Sequence, residues 1–87
     1  MWKIIQLDEF LEGYKTVEIV LSDSTLVFRE PTVEDMQKHG NDIIKLLKKN
    51  ILEGEWEIFE TIYNTKMTRT QQEDIIKQIF EGLGLVS

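Results

Sequence analysis

Eighty-seven residues, 41% hydrophobic and 30% charged, suffice for one ordinary globular domain; the chain is too apolar for compositional disorder and too short for a second core. A formal charge of -6 repels phosphate backbones and anionic lipid, so neither nucleic acid nor a membrane surface is an expected partner. The lack of cysteine excludes a disulfide framework and a thiolate metal site.

The N-terminus meets Asp8 and Glu9 before any apolar run reaches signal-peptide length. No stretch approaches the roughly 18 apolar residues of a bilayer span, so the expected location is cytoplasmic. No repeat, low-complexity tract or Gly/Ser/Pro-rich linker divides the text. Residues 1–87 therefore read as a single domain with an N-terminal segment (1–14), a β-hairpin (15–30) and a helical region (32–84).

Leu7, Phe10 and Leu11, at i, i+3 and i+4 with Asp8 as a cap, predict a short helical turn packing its apolar side on the rest. From Thr16 the period becomes two: Val17, Ile19 and Leu21 alternate with Glu18, Val20 and Ser22. After Asp23 and Ser24 a second run extends from Thr25 to Arg29, giving a hairpin. Its turn has no Asn-Gly or Asp-Gly to fix a length. Two strands are marginal in water, so helices or another chain must cover the apolar face, and one strand edge should stay unpaired.

Beyond Pro31 the period is helical. Val33, Met36, Gly40, Ile43 with Ile44, Leu47 and Ile51 step by three or four. The stripe keeps phase across Gly40 and Asn41, which favours one helix over 33–52, kinked there, above two helices divided by the dipeptide. After Gly54, the residues Trp56, Phe59 and Tyr63, with Ile58 and Ile62 beside them, predict a second helix that fades near Asn64. Thr70 with Glu73 matches a capping box for a third helix, bearing Ile75, Ile76, Ile79, Phe80 and Leu83 and ended by Gly82 or Gly84. The predicted fold is α+β, an N-terminal β-hairpin followed by three α-helices (ββααα), in a single small domain.

No chemistry-bearing constellation emerges. His39 is the single histidine, and one imidazole with carboxylates is a poor zinc ligand set, so a surface or helix-end role is expected. No serine or threonine has the histidine and acid context of a nucleophile. The pairs Asp8/Glu9, Glu34/Asp35 and Glu73/Asp74 each open a predicted helix, where the dipole favours acids. Gly82-Leu83-Gly84 follows a helix and lacks the lysine of a phosphate loop. Lys45, Lys48 and Lys49 lack interleaved aromatics and read as a solvated helix face. No catalytic, cofactor-binding or metal-binding residue is assigned, and an enzyme is not expected.

Glu53, Glu55, Glu57 and Glu60 crowd around Trp56. A tryptophan rimmed by charge can anchor an interface, but Trp56 is in phase with Phe59 and Tyr63, which favours a core position. Both hold if a partner completes that core. Trp56, Phe59, Tyr63, Ile76 and Phe80 are therefore the candidate partner-binding residues.

The junction Phe28-Arg29-Glu30-Pro31-Thr32-Val33-Glu34-Asp35-Met36 has a mechanical reading. Thr32 is the N-cap, Glu34 and Asp35 are first-turn acids, and Pro31 holds the incoming strand out of helical geometry. Capping leaves Arg29 and Glu30 unexplained. The stretch from Val17 through Phe28 running into Arg29-Glu30-Pro31-Thr32 resembles the small tail assembly chaperones of tailed bacteriophages, in which such a junction recurs after a hairpin. The likeness covers roughly Lys15 to Met36 by motif and the helical remainder only in general character.

That resemblance implies a non-catalytic protein of the infected cell's cytoplasm that binds the tape-measure protein and tail-tube subunits and is absent from the mature virion. It also implies that a longer, frameshifted form is often made. In that setting Arg29, Glu30, Pro31 and Thr32 are structural first and binding residues second. Three apolar helix faces on so short a chain exceed what it buries comfortably, which fits a homo-oligomeric chaperone shielding a long helical client. The alternative is a small acidic adaptor occupying a basic or apolar surface of another protein.

Overall fold

The computed structural model describes residues 2–85. A short helix α1 (Leu7–Leu11) precedes strands β1 (Thr16–Val20) and β2 (Thr25–Arg29). Helices α2 (Val33–His39) and α3 (Ile43–Lys49) lead to strand β3 (Ile51–Glu53), and α4 (Trp56–Thr65) and α5 (Arg69–Gly82) close the chain. The sheet is antiparallel throughout, in the order β1-β2-β3. The ββααα layout is thereby overturned: this is a small mixed α/β fold with a third strand inserted among the helices.

The hairpin pairs Val17 with Phe28 and Ile19 with Leu26, so all four side chains share one face of the sheet. The Leu21 N–H donates to the Ser24 carbonyl across the turn at 2.8 Å. On that face Leu26 and Phe28 are fully buried, and Val17 and Ile19 are half-buried at the edge. Leu47 of α3, Trp56 and Phe59 of α4, and Ile79 and Leu83 from the end of the chain complete the core.

Two helices replace the long helix expected over 33–52. Helix α2 begins where expected, with Thr32 Oγ1 accepting the Asp35 N–H at 3.2 Å. It ends at Gly40, and the Asp42 carboxylate then accepts the Lys45 N–H at 3.1 Å, capping α3. A glycine of low helix propensity followed by Asn and Asp, good capping residues, outweighs the unbroken apolar phase.

Ile51–Glu53 was expected as the tail of that helix and is instead β3. Asn50 redirects the chain. Its Nδ2 donates to the Leu46 carbonyl at 2.8 Å, and its own carbonyl accepts the Arg29 N–H at 2.8 Å, carrying β-pairing into the helix end. Ile51 then pairs with Phe28 and Glu53 with Val27 across a bulge. Gly54 turns the chain toward α4 with φ +90°, and a Cβ there would lie 2.6 Å from the Thr25 carbonyl oxygen.

The capping box of α5 is Thr68 with Gln71, two residues ahead of the expected Thr70 and Glu73. Thr68 Oγ1 accepts the Gln71 N–H at 3.2 Å and Gln71 Oε1 accepts the Thr68 N–H at 2.9 Å. Both pairs have the required spacing; the earlier one starts the helix, and Glu73 faces Arg69 at 3.5 Å instead. Helix α5 closes on β1 at Gly82, where any Cβ would overlap the Val17 side chain.

Helix α1 is present, but its apolar side does not pack on the rest: Leu7, Phe10 and Leu11 are all exposed. Asp8 does not cap it either. The N-cap position is Gln6, without a side-chain bond. The Cα radius of gyration is 15.0 Å, against about 12 Å for a compact domain of this length, and the long axis extends 57 Å.

Candidate functional site

The junction residues form the root from which the N-terminal segment departs. The Arg29 guanidinium lies over the Tyr14 ring, 4.1 Å from its centroid, and its Nε donates to the Glu30 carbonyl at 3.3 Å. Glu30 makes two further bonds of opposite direction: its carboxylate accepts the Lys15 N–H at 3.2 Å, and its own N–H donates to the Lys15 carbonyl at 2.8 Å. Arg29 and Glu30 therefore fasten Tyr14 and Lys15 to the end of β2, while Pro31 and Thr32 turn that strand into α2. Each residue of the motif has a structural task here.

Ahead of that root, residues 2–13 are exposed throughout. Trp2 is 84% exposed and Phe10 69%, and Ile4, Ile5, Leu7 and Leu11 all exceed half. Among the described residues, this segment's hydrogen bonds stay within it, as in Phe10 N–H to the Gln6 carbonyl at 2.9 Å. Together its six large apolar side chains expose about 800 Å². That exceeds the few hundred Å² of an incidental patch, so the segment is an apolar arm without a partner among the described residues.

The five candidate partner-binding residues separate into two layers. Trp56 and Phe59 are in the core, the first 6% exposed, and Phe28 meets both edge-on at 6.2 and 5.8 Å. The Trp56 indole N–H donates to Glu60 at 2.7 Å, which accounts for one of the four surrounding acids. Tyr63 stacks on Phe59 at 5.8 Å, and Tyr63, Ile76 and Phe80 all lie half-buried against the core.

Tyr63 and Ile76 line a groove of about 540 Å³ with Ile43, Ile44, Asp42 and Gln72, where α3, α4 and α5 meet. A second depression, of about 590 Å³, shares Asp42 and Ile44 with it and carries Lys45, Lys48, Lys49 and Glu60. The lysines expected as a solvated face are exposed, and they also give one side of this depression its positive charge. Ile43, Ile44 and the arm escape a reading based on helix faces alone. The signal for the arm was its density of large apolar residues, six among positions 2–11.

The premise that three helix faces exceed what the chain can bury also changes. Helices α4 and α5 direct their apolar faces into or against the core, and the exposed apolar surface lies on the arm and on scattered residues, among them Val20, Val33, Met36 and Leu52. His39 ends α2, with its Nε2 buried and without a hydrogen-bond partner. Among the described residues no cluster of three or more His, Asp or Glu could hold a metal ion, and no helix is long and apolar enough to cross a membrane. In comparisons with known proteins, no family model, no curated protein and no solved structure matches this chain.

Proposed function

We propose that the protein is a non-catalytic assembly chaperone that binds apolar segments of a larger client through its N-terminal arm. The observation that carries this reading is the exposed set Trp2, Ile4, Ile5, Leu7, Phe10 and Leu11, held at a fixed root by Arg29 and Glu30. An exposed apolar surface of that size is unfavourable in water and is retained where a partner covers it.

The client class follows from the resemblance of the Arg29-to-Thr32 junction to phage tail assembly chaperones. The clients are then the tape-measure and tail-tube proteins, met in the cytoplasm of the infected cell, and the chaperone leaves before the virion is complete. A shape that presents apolar residues on an arm suits transient cover of a long helical protein during assembly.

Co-expression with a phage tape-measure protein is the test. The expected result is a soluble complex that the triple variant Leu7→Asp, Phe10→Asp, Leu11→Asp no longer forms. Failure of the unaltered chain to co-purify with that client or to raise its solubility would overturn the proposal. A complex that dissolves steeply with added salt yet survives the triple variant would favour the acidic adaptor.

A further inference from the structure

From charge and area, we infer that two copies of this chain exchange arms, each arm lying in the α3–α4–α5 groove of the other copy. The occupant of the groove is thus residues 2–12 of a second copy. Two independent observations select it.

The first is charge. The arm carries Asp8, Glu9 and Glu12 against Lys3, so it is acidic around its apolar residues. The receiving groove is apolar at Ile43, Ile44, Tyr63 and Ile76, and it adjoins, through Asp42 and Ile44, the depression that carries Lys45, Lys48 and Lys49 beside Glu60, on a molecule otherwise strongly acidic. An apolar segment flanked by acids matches an apolar groove that opens on one side to a depression with three lysines. Asp42 and Glu73 stand on the groove as well, which leaves the lysine side as the one for the arm's acids.

The second is area. The arm offers a partner about 800 Å² of apolar surface, about what one side contributes to a standard interface. A two-fold exchange covers both arms at once and leaves neither groove vacant, and a closed two-fold pair is the commonest oligomeric form. The arm's own groove is a poorer recipient: Tyr14 and Lys15 are fixed at the end of β2, and the arm leaves that point with every residue exposed.

One arm cannot be held by a second copy and by a client at once, so the exchanged pair is the client-free state and a client displaces the exchange. The self-association does not rest on the identity of any client, and purified protein alone tests it. Sedimentation velocity of the full chain should give a concentration-dependent mass of two chains. The triple variant Leu7→Asp, Phe10→Asp, Leu11→Asp, altered only at exposed positions, should keep its circular dichroism and weaken the dimer about a hundredfold or more. Lys45→Glu with Lys48→Glu should also weaken it, and adding Asp8→Lys and Glu9→Lys should restore it.

Because the chain has no cysteine, Leu11→Cys and Ile43→Cys variants can be mixed and oxidised, and a disulfide between the two is expected. A single-chain mass at the highest attainable concentration would overturn the exchange. So would a dimer indifferent to the arm substitutions, or a mixture in which Leu11→Cys links only to itself.

Discussion

Replacing Phe28 with alanine tests whether the aromatic cluster is the structural centre of this domain. Phe28 has no exposed surface and meets Trp56 at 6.2 Å and 78° and Phe59 at 5.8 Å and 79°. Truncating a buried phenylalanine costs about 3–5 kcal/mol, and each lost edge-on pair falls within or adds to that by about 0.5–1.5 kcal/mol. A loss of about 4 kcal/mol is expected, against a total stability of about 4–13 kcal/mol for a domain of this size. The melting temperature should fall by about 20 °C. Urea unfolding followed by tryptophan emission reads the change directly, because Trp56 touches the altered site while Trp2 is exposed in either state. A loss under about 1.5 kcal/mol would refute the core assignment of Phe28, and with it that of Trp56 and Phe59.

Other substitutions separate the remaining claims. Thr68→Ala should lower the stability by about 1 kcal/mol in urea titration, whereas Thr70→Ala should stay within about 0.5 kcal/mol, since only Thr68 caps α5. Gly54→Ala should cost about 1–3 kcal/mol by the same titration, because the residue takes a φ of +90° and a Cβ would crowd the Thr25 carbonyl. The ion pairs Glu34–Lys38, Arg69–Glu73 and Lys77–Glu81 are all largely exposed, so raising salt should change the unfolding midpoint by less than about 1 kcal/mol of stability.

The hairpin was legible because the period of two from Val17 to Leu21, with Val20 alone apolar on the outer face, has one structural meaning, and the helix capped by Thr32 was legible because Pro31 and Thr32 carry a local mechanism. Strand β3 was hidden for a physical reason. Ile51 continues a helical stripe, and the local Asn50 bond to Leu46 together with the Asn50 bond to Arg29, which joins distant parts of the chain, makes it a strand. The break at Gly40 was visible as a dipeptide and lost to the stronger periodic signal around it. For the candidate site, Tyr63 and Ile76 are legible as apolar helix-face residues, yet their groove needs Ile43 and Ile44, which only the turn between α2 and α3 brings there. The arm's isolation was beyond periodicity altogether, since a pattern of apolar residues does not say whether anything is near enough to cover it.

The position of β3 beside β2 sets an order of events in folding. The β1–β2 pair closes across residues 21–24, while β2 and β3 must meet across residues 30–50. The longer closure carries an additional entropic cost of about 1.5 kcal/mol, and the reward is only two residue pairs on either side of a bulge. The hairpin therefore nucleates early, and the last strand arrives once the two intervening helices have shortened the path.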